Sequence, residues 1–205
     1  MYEIPVSLLL GYLLGCINPA WIIARFKKKE LRREGTKNLG ATNVFLTIGK
    51  RIGVFVMLLD ITKAYAAVII ARALFPHVAL AGVIAGAAAM LGHMFPFSLG
   101  FKGGKGSSCL AGVVIALDVR IFLVLLLLGI ALSFIINYPW ALPVSAAGLF
   151  PFAYGISTQS SMNFAILLFP CICLICKHTE NFRRALAGNE PTVSGYFKRS
   201  NHEKL

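Results

Sequence analysis

The chain has 205 residues, of which 58% are hydrophobic and only 14% charged, with a mean hydropathy of +0.76. That balance excludes an ordinary soluble domain and points to an all-α, polytopic membrane protein. The formal charge of +12 fits basic cytoplasmic loops and contact with membrane lipids. With no nucleic-acid module beside the basic residues, it gives no argument for binding nucleic acid.

Seven apolar stretches follow in order: 4–26, 53–71, 78–99, 107–117, 121–136, 141–156 and 162–176. The first is long enough to span and lacks the basic start and small-residue cleavage site of a signal peptide. The fourth is short for a span of about 20 residues, so it must tilt or be shielded by neighbours. These stretches predict a seven-helix transmembrane bundle. Residues 1–190 form its single membrane-embedded domain, and residues 191–205 form a polar tail, loosely ordered after Gly188.

Charge sets the expected orientation. Lys27, Lys28, Lys29, Arg32, Arg33, Lys37, Lys50 and Arg51 fall between the first two stretches, Lys102 and Lys105 after the third, and Lys177, Arg183 and Arg184 after the seventh. The intervening loops offer little beyond Arg72 and Arg120. The positive-inside rule therefore places the N-terminus outside and the C-terminus and all basic loops in the cytoplasm.

Three polar islands share that face: 35–43, 92–108 and 177–190. The first (GTKNLGATN) supplies Thr36, Asn38, Gly40, Thr42 and Asn43. Their hydroxyls, amides and open backbone suit phosphate or glycerol oxygens. The same composition also makes a tight turn with a helix cap, and local sequence leaves both readings open. In the second island, GFKGGKGSS places Gly103, Gly104 and Gly106 around Lys105. Glycines let backbone N–H groups approach an anion, and the lysine adds a point charge. The stretch is no Walker A loop, because Leu99 stands where its first glycine belongs and Gly106 where Ser or Thr must follow the lysine. Ser107 and Ser108 are candidate caps for the next helix. In the third island, His178 and Asn181 lie three apart, on one face of a continuing helix.

Asp60 and Lys63 are also three apart and read as a structural ion pair inside the membrane. His93 reads as a structural histidine. No carboxylate stands five residues after any histidine, which disfavours the His-x4-Asp dyad of soluble acyltransferases. Of the five cysteines, Cys171 and Cys173 point about 200° apart on a helix, so the C-x-C-x-x-C cluster does not form a metal site.

Together GATN, GHMFP, FKGGKG and H-x-x-N resemble the bacterial acyl-phosphate:glycerol-3-phosphate acyltransferases, the PlsY family, over nearly the whole chain. The resemblance implies transfer of an acyl group from acyl phosphate to the 1-hydroxyl of glycerol 3-phosphate, giving lysophosphatidic acid and phosphate. The implied setting is phospholipid synthesis at the cytoplasmic face of the bacterial inner membrane. It implies Lys105, His178 and Asn181 as catalytic residues. Substrate binding would fall to Thr36, Asn38, Gly40, Thr42, Asn43, Gly103, Gly104, Gly106 and Glu190. The implied partners are acyl phosphate, glycerol 3-phosphate and membrane lipids, with no metal and no cofactor.

Several positions depart from the family pattern. Leu46 stands where an arginine is usual, and Asn137 and Trp140 replace the Arg and Ser of Arg-Tyr-x-Ser. Cys16, Ala20 and Lys37 replace a serine and two glycines. These departures motivate an alternative, a divergent paralogue with an altered acceptor or a non-catalytic phosphate- or lipid-binding role. An anion transporter is disfavoured because polarity sits at one face instead of running through the bundle.

Overall fold

The first apolar stretch is two helices. α1 (Glu3–Cys16) and α2 (Pro19–Phe26) are separated at Ile17 and Asn18. Pro19 has no N–H to continue a helical ladder, but it suits the first position of a new helix. Asn18 Oδ1 caps α2 by accepting from the Trp21 N–H at 2.8 Å, and Asn18 Nδ2 donates to Leu39 O at 3.3 Å. The computed structural model describes residues 2–195. The remaining helices are α3 (Ala41–Thr47), α4 (Lys50–Leu74), α5 (Ala81–Met94), α6 (Ser107–Leu117), α7 (Val119–Ile136), α8 (Ala141–Ser157), α9 (Ser161–Lys177) and α10 (Thr179–Leu186). A 3-10 turn at Phe97–Leu99 follows α5 after Pro96.

Among the described residues, five segments are long and apolar enough to cross a bilayer: Glu3–Phe26, Lys50–Leu74, Ala81–Leu99, Val119–Ile136 and Ser161–Leu186. The expected seven spans become these five with two shorter apolar helices, α6 and α8. At about 1.5 Å per residue, the 11 residues of α6 reach about half of a ~30 Å hydrocarbon core. The neighbours shield it as expected. Cys109, Leu110, Val113 and Val114 are buried in the main core with Val68, Met90, Phe150 and Leu174. The Ala116 carbonyl near its C-terminal end accepts from Arg72 Nη1 at 2.8 Å.

Small residues set the direction of the bundle. A Cβ on Gly11 would strike the Ala85 carbonyl, and one on Gly15 the Ala89 carbonyl. The contacts rise together in sequence, so α1 and α5 are parallel, with backbone against backbone as small-xxx-small seams allow. Gly82 meets Arg72 and Gly86 meets Val68, so α4 runs antiparallel to α5. Lys177 Nζ lies 4.4 Å from the Phe95 ring centroid, which brings the end of α9 to the end of α5. The three polar islands therefore gather at one end of the bundle. At the other end Tyr2 meets Phe75 edge-on, with centroids 6.2 Å apart.

The start of the polar tail is tied down. Asn137, in the left-handed conformation at φ +65, accepts from the Val193 N–H through its backbone oxygen and from the Ser194 N–H through its side-chain oxygen, each at 3.0 Å. Residues 191–195 thus clasp the α7–α8 turn instead of trailing away after Gly188. The rest of the expected tail, 196–205, lies outside the described residues.

Candidate functional site

The polar islands close with the α7–α8 turn around a cavity of about 260 Å³. Its polar wall is Thr36, Asn38, Gly40 and Thr42 from the first island, Lys105, Gly106, Ser107 and Ser108 from the second, and His178, Asn181 and Glu190 from the third. Met57, Pro139, Trp140 and Pro143 supply an apolar flank.

Lys105 donates a hydrogen bond to Asn181 Oδ1. Lysine can only donate, which fixes the amide orientation, and Asn181 Nδ2 then donates to Glu190 Oε1 at 2.5 Å. The other oxygen of Glu190 accepts from Arg184 Nε at 2.7 Å. The carboxylate is therefore matched by Arg184, and the neutral amide stands between it and Lys105. The lysine keeps an unneutralised charge. Burial pushes the Lys105 ammonium down from 10.5 to about 8, Arg184 pushes the same way, and Glu190 and Glu180 oppose them.

Gly106 begins α6 at φ +91, a conformation glycine adopts without penalty, and no side chain caps the helix. Ser107 and Ser108 are thus not the expected caps. They sit in the first turn, where N–H groups lack helical partners and the macrodipole favours an anion. An uncapped helix start beside an unneutralised lysine is an arrangement suited to phosphate. His178 Nδ1 lies 2.9 Å from Leu174 O. A carbonyl only accepts, so Nδ1 carries the proton and Nε2 remains as the ring's second polar atom in the cavity-lining histidine.

Three expected binding residues lie off the cavity wall. Gly103 and Gly104 donate their N–H groups to Met94 O and His93 O at 3.2 and 3.1 Å, satisfying carbonyls at the end of α5. These two amides are therefore unavailable to an anion. A Cβ at Gly103 would strike the His93 carbonyl, and one at Gly104 the His93 ring. Close approach to His93 is enough to require glycine at both positions. Asn43 is fully buried and works as a strut. Its oxygen accepts from the Thr36 N–H at 2.8 Å, and its amide donates to Leu31, Asn38 and Glu34 carbonyls at 2.8, 3.0 and 3.1 Å. It shapes the loop whose Thr36 and Asn38 face the cavity.

Two cavity-wall groups are ones the sequence reading set aside as structural. Asp60 and His93 both line the cavity, although each is nearly inaccessible. Lys63 Nζ is 2.7 Å from Asp60 Oδ1, as an ion pair three residues apart on a helix requires, and 3.0 Å from His93 Nδ1. That carboxylate oxygen, also 3.3 Å from His93 Nδ1, has no partner at a hydrogen-bonding angle among the described residues, so charge holds the pair. Lys63 Nζ also donates to Ile17 O at 2.5 Å, at the break between α1 and α2. Asp60, His93 and Cys109 bring three ligand-type atoms within 4.8 Å of one another. The Lys63 ammonium occupies the space against two of them, so a metal ion would have to displace it. The intermediate and exposed positions of Cys173 and Cys176 contrast with buried Cys171, as expected for thiols pointing apart on one helix.

The departures from the family pattern separate. Leu46 on α3 is 39% exposed, and neither it nor the exposed Lys37 lines the cavity. Trp140 does line it, packed edge-on to Phe182 at 4.3 Å between centroids and stacked on Tyr138 at 5.6 Å. Its indole N–H is buried without a hydrogen-bond partner among the described residues. The signal that would have found the Asp60–His93 contact is the scarcity of ionisable groups inside membrane helices, which draws them to one another.

Residues 5–188 match the family model described as glycerol-3-phosphate acyltransferase. A protein of that name from Mesorhizobium japonicum is 38% identical over 195 residues, 94% of this chain and 97% of that one. Another from Agrobacterium fabrum is 36% identical over 189 residues, 92% of this chain and 91% of that one. A crystal structure of PlsY, an integral membrane glycerol 3-phosphate acyltransferase in its glycerol 3-phosphate form, is similar with a TM-score of 0.84. The two are 31% identical, and the match covers 92% of this chain and 94% of that one. The lysophosphatidic acid form of PlsY gives 0.81 at 30% identity, covering 94% and 96%.

Proposed function

The chain belongs to the glycerol-3-phosphate acyltransferase family, and from this we propose that it moves an acyl group from acyl phosphate to the 1-hydroxyl of glycerol 3-phosphate. The observation that carries this reading is the unneutralised Lys105 at the uncapped start of α6. That pair holds a phosphate group, while the Met57, Pro139 and Pro143 flank takes the first carbons of an acyl chain. Asn181 fixes the lysine, and Arg184 with Glu190 fixes Asn181. Thr36, Asn38, Gly40 and Thr42, which line the same cavity, bind glycerol 3-phosphate.

The chemistry is an acyl substitution. The glycerol hydroxyl oxygen attacks the acyl carbonyl carbon, and the bond from that carbon to the bridging phosphate oxygen breaks. The departing phosphate takes the hydroxyl proton, so the donor itself serves as base. His178 orients the hydroxyl through Nε2. Lys105 and the first turn of α6 stabilise charge that builds on the leaving phosphate, and holding both substrates in one cavity supplies much of the rate. The cation-rich end of the bundle supports a cytoplasmic site in a bacterial inner membrane, with α6 and α8 completing seven crossings and the N-terminus outside.

The test is phosphate release from palmitoyl phosphate by purified protein. Release that needs glycerol 3-phosphate and yields lysophosphatidic acid is the expected result, and none from well-folded protein would refute the reading. Trp140, which lines the cavity where the family pattern has a serine, favours a second reading in which the acceptor differs or activity is weak. Rescue of a strain lacking its only such acyltransferase excludes it.

A further inference from the structure

A second hollow of about 700 Å³ lies on the outer side of the first island. Its wall holds Arg25, Lys28, Lys29, Arg32 and Arg33 against one carboxylate, Glu30, with Trp21 beside them. It is separate from the catalytic cavity, although one strand of chain divides the two. Asn38 and Gly40 face the cavity, and Leu39 between them faces the hollow.

Not all five cations are free. Arg32 donates to Leu99 O and Lys102 O at 2.8 and 3.0 Å, Lys29 lies 3.4 Å from Glu34, and Arg33 lies 3.0 Å from Glu30. Among the described residues, Arg25 and Lys28 have no carboxylate within ion-pair distance. Arg25 instead sits 6.0 Å above the Trp21 ring. Lys28 is held at φ +53 where α2 ends, a left-handed turn in which its N–H donates to Arg25 O and the Lys29 N–H to Ala24 O. The turn brings the two lysines over the hollow.

Depth is marked by what lies beside it. Trp21 is 40% and Phe26 84% exposed, with Ile22 also exposed, at the end of the Glu3–Phe26 apolar segment. Tryptophan at the end of a span marks the headgroup level. A ligand here meets cations on one side and an outward apolar face on the other. A free phosphate would use only the first, whereas a phospholipid uses both. We propose that this hollow binds the headgroup of an anionic phospholipid, with its phosphodiester at Arg25 and Lys28 and its acyl chains along the outer face of α2.

The test titrates detergent-solubilised protein with dioleoylphosphatidylglycerol or dioleoylphosphatidylcholine and reads thermal unfolding. The anionic lipid raises the midpoint of wild type by roughly 2–4 °C more than the zwitterionic one. The variant Arg25→Gln with Lys28→Gln loses at least half of that difference. Arg51→Gln with Arg183→Gln, which removes the same charge elsewhere, keeps it. Arg25→Lys with Lys28→Arg, which retains both charges, also keeps it and shows that the turn tolerates substitution. Equal differences in all variants, or no preference for the anionic lipid in wild type, would overturn the proposal.

Discussion

Two lysines stand at the wall of one cavity or just behind it, and they are partnered in opposite ways. Lys63 lies 2.7 Å from a carboxylate, against a histidine and a backbone oxygen. Lys105 is held by an amide, and the nearest carboxylate in its chain of contacts is matched by Arg184. A lysine neutralised by a buried carboxylate holds helices together. A lysine positioned by a neutral amide stays available to an incoming anion. Each lysine carries one positive charge, and its immediate partner decides what that charge can do.

The widest break in this comparison is Lys63→Met. It leaves Asp60 buried without its counter-ion and costs about 3–5 kcal/mol of stability. Thermal unfolding reads it, and adding Asp60→Asn recovers much of the loss. If Lys63→Met folds normally yet abolishes turnover, the division of roles fails.

Lys105→Ala is the converse change. It lowers kcat/KM by roughly a hundred- to a thousandfold, with the unfolding midpoint close to wild type. The ionisation of Lys105 gives a finer test. With its folded value near 8 and its ordinary value at 10.5, the protonated form binds the anion. Activity therefore falls as pH rises through about 8. Stability moves the other way. Between these two values the unfolded chain binds more protons than the folded one, so the contribution of Lys105 to stability rises with pH. Lys105→Arg removes the activity limb, because guanidinium stays charged.

Asn43→Ala tests whether a first-island residue acts as strut or as ligand. Loss of its buried bonds costs about 1–3 kcal/mol and opens the loop at 31–38 to proteolysis, with KM rising only as far as the loop loosens. Smallest of all is Leu46→Arg. From its exposed place on α3 the new guanidinium changes kcat/KM by no more than a few-fold. A large gain would mean that α3 turns toward the cavity when substrate is bound.

The sequence made the islands legible because glycine, amides and lysines stand out against apolar helices. Lys105, His178, Asn181 and Glu190 converge as their motifs implied. Other features needed the folded chain. An asparagine that braces a loop and one that binds a ligand have the same composition around them, so Asn43 could not be told from Asn38. The N–H groups of Gly103 and Gly104 look available until the end of α5 is laid beside them. The meeting of His93 with Asp60 depends on how α4 crosses α5. The break at Asn18 was within reach, since Asn-Pro is a turn signal, but the hydrophobicity around it hid the interruption.

The seam between α1 and α5 also bears on how the cavity can open. Gly11, Gly15 and Gly92 bring these helices together backbone to backbone, which leaves no side chain to swing and no space to slide. The Trp140 flank of the cavity is built differently. Trp140 rests on Tyr138 and Phe182 through ring contacts, and the Asn137 clasp to Ser194 is a few hydrogen bonds at the surface. Rings can rotate and a clasp can release without disturbing the core. The close backbone contact thus lies at α1 and α5, and the contacts with the most freedom lie at the aromatic corner between α8 and α10.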